Sequence, residues 1–351
     1  MNEIICGDTT EALRTLGDES VDCIITSPPY WGLRNYGVEK QLGLEKTFVE
    51  YLENILYVTK ELKRILKPGG SLWWNHGDSY ANQKVGNQVD SSFKKGKTHL
   101  SEKSLLGQPW RVAIRMCDEQ GWILRSDIKW IKHILLWKEK RTIGSVMPAS
   151  AKDRFNNSGE YLFHFVKNKK YYFDLDAVRI KHQTEEHRPQ GIDREKDYPN
   201  AKRNTNSFSY RVRDSVKKHG QSQFVASEDE IKKYTAPDTQ QKMGKDDNRQ
   251  EWSSRTPNWC NEKGKNIPNA WLIGTEPQKE AHFAMFPTAL CEIPILSSCP
   301  RGGIVFDPFM GGGSTAVAAK RLGRDYLGIE LNPSYIEIAQ RRIDRTSSPF
   351  L

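Results

Sequence analysis

The sequence predicts an α/β protein built on a doubly wound, mostly parallel sheet, with a polar region inserted into it. Three observations carry that expectation. Short apolar runs of buried-strand character alternate with stretches at helical spacing over 1–80 and again from residue 266 onward. Proline, glycine and Asx residues punctuate the alternation. Residues 182–265 break it, because large aliphatic side chains become sparse there and Lys, Arg, Asn, Gln, Asp and Ser dominate.

The elements follow in order. Ile4-Ile5-Cys6 reads as a short strand, and a helix is expected over about 9–16. Val21 to Thr26 is a mostly apolar run of the kind buried on both faces. Phe48, Leu52, Ile55, Leu56, Leu62, Ile65 and Leu66 recur at helical spacing, and Lys67-Pro68-Gly69-Gly70 is expected to stop that helix. Ser71-Leu72-Trp73-Trp74-Asn75 returns as a strand. Residues 82–108 read as a loop. A helix over about 109–119, closed by Gly121, restores order, and strand-like runs follow at Ile123–Lys132, Tyr161–Val166 and Tyr171-Tyr172-Phe173. The expected organisation is a catalytic part over 1–181, an inserted region over 182–265, and a second catalytic part over 266–351.

Composition bounds the function. At 351 residues the chain exceeds the roughly 100–200 of a typical domain. Lys and Arg exceed Asp and Glu by 53 to 44, a net charge of +9, which suits a polyanionic partner as well as plain solubility. No run of about 18 apolar residues is present, so no membrane span is expected. The N-terminus has neither a basic nor an apolar leader region. Six cysteines lie scattered without a C-x-x-C pair. Neither a zinc site nor a disulfide framework is expected, and a cytoplasmic location fits.

The strongest local pattern is Gly303-Ile304-Val305-Phe306-Asp307-Pro308-Phe309-Met310-Gly311-Gly312-Gly313-Ser314-Thr315. A short apolar strand enters a glycine turn and a helix follows. Glycine admits positive φ and close approach of backbone to a ligand. The next strand, from Asp325, ends in Glu330, at an offset from Asp307 close to the roughly 20 residues at which an acid meets ribose hydroxyls in Rossmann units. Asn332 caps a helix opening with Pro333. The pattern points to an adenosine-type cofactor and leaves a dinucleotide oxidoreductase open. It lacks the lysine of a P-loop.

The second pattern is Thr26-Ser27-Pro28-Pro29-Tyr30, directly after a buried strand. Two prolines make a stiff extended turn. Ligands of open α/β sheets bind at the carboxyl ends of strands, where this turn falls. A hydroxyl, a proline carbonyl and an aromatic ring in that place suit methyl transfer to the exocyclic amine of a nucleobase. That amine is a poor nucleophile because its lone pair is conjugated into the ring. Acceptors at Ser27 and the Pro28 carbonyl would draw its protons aside and localise the lone pair. Tyr30 would stack on the base, worth about 1–3 kcal/mol. Catalysis of this kind is positioning and preorganised hydrogen bonding, and the base must leave the duplex to reach the pocket.

The two motifs, in this order and with a variable region between them, resemble the circularly permuted β-group DNA amino-methyltransferases that form 4-methylcytosine or 6-methyladenine. The resemblance extends over Trp31-Gly32-Leu33-Arg34-Asn35-Tyr36-Gly37, Asn75 to Tyr80, Leu106 to Arg111, Ser126 to Trp130 and His282 to Pro287. It implies a Rossmann-like fold, S-adenosylmethionine as cofactor and duplex DNA as partner. It also implies a catalytic pocket of Ser27, Pro28, Pro29 and Tyr30. The cofactor would be held by Asp8, Asp307, Pro308, Phe309, Gly311, Gly313, Ser314, Thr315, Glu330, Asn332 and Phe286, with Asp8 at the adenine end and Glu330 on the ribose. Region 182–265 takes the place of the target-recognition region, with Arg203, Arg211, Arg213, Lys217, Lys218 and Arg255 as DNA contacts. No metal is implied.

Within the family, serine before the prolines goes mostly with cytosine N4 and aspartate mostly with adenine N6, so cytosine is expected and adenine is the alternative. Methylation at cytosine C5 needs a cysteine nucleophile, and no Pro-Cys element is present. A catalytically silent DNA-binding protein on this fold and an RNA substrate are the more remote readings. A cognate restriction endonuclease and the choice between monomer and homodimer stay open. Gly312 departs from the family, which usually has a serine or another small residue there. His76 and Asp78 are candidates either for substrate contact or for strand-end hydrogen bonds.

Overall fold

The computed structural model describes residues 2–33, 35, 37–38, 41–81, 97–144, 151–180, 263–276 and 285–347. The chain divides into two units, Met1–Arg179 with Asn266–Leu351, and Ile180–Lys265. In the first unit Arg179 donates to Asn266 at 2.6 Å. In the second, Ile180 and Lys265 form an antiparallel bridge. Arg203, Arg211, Arg213, Lys217, Lys218 and Arg255 lie outside the described residues.

The first unit is an open eight-stranded sheet. Its strands are β1 (Asn2–Cys6), β2 (Val21–Thr26), β3 (Leu66–His76), β4 (Ile123–Ile131), β7 (Gly159–Val166), β8 (Ala270–Leu272), β9 (Ile304–Asp307) and β10 (Asp325–Glu330). β5 (His133–Leu136) and β6 (Arg141–Gly144) form a separate antiparallel hairpin that the sequence reading did not anticipate. The sheet order is β1-β10-β9-β2-β3-β7-β4-β8. Among these strands β7 alone runs against the others.

Helices α1 (Thr9–Leu13), α2 (Phe48–Ile65) and α3 (Gln108–Gln120) contribute to one core, and α4 (Thr288–Ser298), α5 (Ser314–Arg321) and α6 (Pro333–Asp344) to another. Alternation along the strands makes both cores. Ile24, Leu72, Trp74 and Phe306 face the first with Leu13, Ile55, Leu62 and Met116. Cys23, Ile25, Trp73 and Val305 face the second with Leu290, Ile295, Ala318 and Ile343. Both faces of a parallel sheet are covered, which is why its strands read as near-continuous apolar runs.

Local chemistry sets the boundaries. Thr47 and Glu50 form a reciprocal capping box at the start of α2. Gly121, left-handed at φ 64°, ends α3. α1 stops at Leu13, short of the expected residue 16. Lys67-Pro68-Gly69-Gly70 is not a loop after a helix but the irregular first half of β3. Val21 pairs with Leu66 and Cys23 with Ser71, so the intervening residues bulge. A Cβ at Gly70 would lie 2.7 Å from the Asp22 carbonyl oxygen, so the bulge requires glycine. Tyr171-Tyr172-Phe173 is not a strand. Tyr171 and Phe173 instead pack on the His164 ring, at 5.9 and 5.6 Å between centroids.

Two histidines are enclosed by this core. His164 stacks on Trp73 at 4.2 Å and bonds the Ser71 hydroxyl at 3.0 Å. His76 accepts from the Trp74 indole N–H at Nδ1 and meets the Tyr51 hydroxyl at Nε2. An indole N–H can only donate, so Nδ1 is unprotonated and Nε2 carries the hydrogen. Tyr51 in turn donates to the Pro29 carbonyl. Burial pulls both imidazoles down to about 3. The unfolded chain protonates near pH 6.5 and the folded chain does not, so the stability these rings contribute is present above pH 6.5 and lost as pH falls toward 3. Urea unfolding is expected to weaken by about 1.4 kcal/mol per pH unit per ring below pH 6. In His164→Phe that slope should flatten. An unchanged slope would show that the ring takes up a proton inside the fold.

Candidate active site

Both motif-bearing turns emerge at the carboxyl edge of the sheet, from the neighbouring strands β2 and β9. The glycine turn runs from Asp307 to the start of α5. Gly311 and Gly313 take positive φ of 50° and 80°, and the Gly313 N–H donates to the Met310 carbonyl at 2.9 Å. A Cβ at Gly313 would lie 2.8 Å from that of Ala339 in α6. Here glycine serves both the turn and a close approach of two helices. At Gly312, where the sequence departs from the family pattern, a Cβ would meet Met285 Sδ at 1.9 Å.

Glu330 closes β10, and its carboxylate braces the turn. One oxygen accepts from the Gly311 N–H at 2.7 Å and the other from the Asn332 N–H at 2.8 Å. Burial raises its pKa, and these backbone donors oppose the rise. Asn332 caps α6 by accepting from the Ser334 N–H. Asp8 caps α1, accepting from the N–H groups of Thr10 and Glu11. The Thr9 hydroxyl donates to the Pro308 carbonyl at 2.9 Å, tying the end of β1 to the glycine turn.

A cleft of about 850 Å³ opens between these turns. Of the residues expected there, Asp8, Ser27, Pro29 and Phe286 line it from one set of loops. Pro308, Phe309, Gly311, Ser314, Glu330 and Asn332 line it from the glycine turn and the end of β10. Five expected residues lie behind the wall: Pro28, Tyr30, Asp307, Gly313 and Thr315 do not face the cleft. Asp307 is fully buried and accepts three hydrogen bonds, from the hydroxyls of Thr26 and Thr315 at 2.7 Å each and from the Phe309 N–H at 3.0 Å. Its expected place in the cofactor lining is therefore corrected. It clamps β2, the glycine turn and α5 together. Burial pushes its carboxyl up to about 6, against the pull of the three donors.

Tyr30 is held from several sides. Its ring stacks on His76 at 5.0 Å between centroids, and a Cβ at Gly77 would lie 2.7 Å from it. Its hydroxyl lies 3.0 Å from Ser27 Oγ, 2.9 Å from Glu160 Oε2 and 3.2 Å from Asn75 Oδ1. His76 is enclosed beneath it. Asp78 accepts from the N–H groups of Gly107 and Gln108 at the start of α3. Both are thus engaged in strand-end and helix-end bonds.

Sequence reading passed over Thr9, Gln41, Leu42, Met285 and Tyr335, all of which line the cleft. Thr9 adjoins Asp8 and could have been found by extending that motif. The others sit in loops or on a helix with no pattern of their own.

An open parallel sheet with one reversed strand, carrying both turns on one cleft, is the Rossmann-like methyltransferase fold. Two solved structures share it. The PvuII cytosine-N4-specific DNA methyltransferase aligns with a TM-score of 0.56 at 19% identity, over 99% of this chain and 88% of that one. A DNA modification methylase from Thermus thermophilus, solved with S-adenosyl-L-methionine, aligns with a TM-score of 0.52 at 22% identity, over 100% of this chain and 96% of that one. Residues 21–341 match the family model for N6/N4 DNA methylases. The Type II methyltransferase M.Cfr9I of Citrobacter freundii is 33% identical over 96% of this chain and 86% of its own length. The chain belongs to the N6/N4 DNA methylase family. Among its described residues no helix is long and apolar enough to cross a membrane.

Proposed function

We propose that this DNA methylase transfers a methyl group from S-adenosylmethionine to the N4 amine of a cytosine in duplex DNA. The observation that carries the reading is that Ser27 and Pro29 line the same cleft as Glu330 and Phe309. The donor and acceptor sites of a direct displacement are thereby adjacent. The donor fits the cleft's chemistry. Among the described lining residues only Asp8 and Glu330 carry charge, and both are acidic. Such a wall suits the hydroxyls of a ribose and a cationic sulfonium, and it repels the pyrophosphate of a dinucleotide. When bound, S-adenosylmethionine supplies an activated methyl group.

The chain's own residues orient the acceptor. Ser27 accepts an N–H of the target amine and turns the lone pair toward the cleft. Pro28 and Pro29 hold that turn rigid, and Tyr51 fixes the Pro29 carbonyl. Region 182–265 contacts the DNA through Arg203, Arg211, Arg213, Lys217, Lys218 and Arg255. These contacts release counterions, so their loss should flatten the salt dependence of binding.

The test is nucleoside mass spectrometry after incubation of unmethylated plasmid with methyl-deuterated cofactor. Labelled 4-methyldeoxycytidine is expected. Labelled 6-methyldeoxyadenosine would overturn the choice of base and keep the reaction class.

A further inference from the structure

Beside the cleft lies a polar chain that the reaction as described does not use. Glu160 is the second residue of β7, the reversed strand. His76 pairs with Tyr161, so the antiparallel direction brings the beginning of β7 to the carboxyl edge where Ser27 sits. Lys132, following β4, forms an ion pair with Glu160 and lies 4.5 Å over the Trp130 ring. The two side chains are 20% and 16% exposed. Gly77 makes room for the arrangement: a Cβ there would lie 2.7 Å from the Tyr30 ring and 3.2 Å from the Glu160 side chain.

The direction of each hydrogen bond can be worked out. A carboxylate paired with an ammonium only accepts, so Tyr30 donates to Glu160 Oε2 at 2.9 Å. Asn75 presents its carbonyl oxygen to Tyr30, because its amide nitrogen donates to the Tyr161 carbonyl at 3.1 Å. The Tyr30 oxygen is then open to a donor, and Ser27 Oγ lies 3.0 Å away. Ser27 places its hydrogen on Tyr30, and its lone pairs remain for the cleft. Burial, with the Glu160 charge next in effect, holds the Tyr30 phenol well above its ordinary range, so it stays a donor.

We infer that Glu160 is a positioning residue for methyl transfer, fixing Ser27 through Tyr30 as a hydrogen-bond acceptor toward the target amine. The inference rests on the reading of Ser27 given above. It also supplies a route for the proton that the methylated amine must lose. That proton passes to Ser27 Oγ, the Ser27 proton to Tyr30, and the Tyr30 proton to Glu160, which returns it to water. Each oxygen gains one proton and gives one up, and the neutral N-methyl base is left.

The test is a double-mutant cycle on the full chain, with unmethylated plasmid and labelled cofactor. Glu160→Gln and Tyr30→Phe should each lower kcat by about 10- to 100-fold, the worth of one charge-assisted hydrogen bond, with KM for the cofactor within about threefold of wild type. The double variant should be no slower than Tyr30→Phe alone, because both substitutions cut the same link. Glu160→Asp, too short to reach Tyr30 but still charged, should fall as well and serves if the glutamine variant does not fold. Wild-type product together with a Glu160→Gln kcat within twofold of wild type would overturn the inference and leave the proposed function intact. So would losses that multiply in the double variant. A wild type that makes no labelled base would overturn the proposed function and the inference with it.

Discussion

Ser27→Ala is expected to lower kcat for methyl transfer by about 10²–10³-fold while leaving cofactor affinity within about threefold, the range seen when one preorganised hydrogen-bonding group is removed from a reacting centre. The asymmetry follows from the geometry. The Ser27 hydroxyl contacts Tyr30, whereas the acids proposed to hold the cofactor, Asp8 and Glu330, are braced by backbone N–H groups of their own elements. Removing one oxygen leaves that bracing in place. It also leaves the turn in place, since its prolines and the Tyr51 bond to the Pro29 carbonyl do not involve the hydroxyl. Turnover on plasmid DNA and equilibrium dialysis of labelled cofactor separate the two effects. Retained kcat would remove Ser27 from the chemistry. A parallel loss of cofactor binding would make it a structural residue of the cleft.

Asp307→Ala is expected to fail differently, as a folding variant that also loses the cofactor. Three buried donors would be orphaned: the hydroxyls of Thr26 and Thr315 and the Phe309 N–H. At about 1–3 kcal/mol for each unsatisfied group, a loss of about 3–5 kcal/mol is expected, a large share of the 5–15 kcal/mol that holds a typical domain folded. Asp307→Asn keeps an acceptor and the volume, and should recover most of the stability. Denaturant unfolding midpoints of the two variants, followed by cofactor titration of whichever folds, would decide the matter. An alanine variant of wild-type stability would mean that water replaces the carboxylate.

How far the sequence could be read differs from residue to residue. The strand Val21–Thr26 and the glycine turn were legible because buried parallel strands leave continuous apolar runs and turns with positive φ need glycine. Pro68 and the two glycines after it were misread because the same residues that stop helices also make bulges, and only pairing with β2 distinguishes the outcomes. Tyr171 and Phe173 have strand propensity but are held by a histidine from another strand. Asp307 was placed by its motif, but its direction depends on Thr26, 281 positions away in sequence. Glu160 gave no signal, since a single acid at the start of a strand acquires its partners only when β7 reverses beside β3.

The pairing of β1 with β10 bears on how the molecule comes into being. Asn2 is in register with Tyr326 and Cys6 with Glu330, so the first strand to leave the ribosome waits for the last to find its neighbour. At about 5–20 residues per second, that wait is roughly 15–65 seconds. During it β1 has no sheet to join, while the adjoining strands β2 and β3 already have each other. The turn bearing Ser27 can therefore be assembled early in synthesis, but the cleft that needs Asp8 and Glu330 together closes only when the chain is nearly complete. A nascent chain truncated before β10 would carry one half of the machinery and lack the wall on which the other half depends.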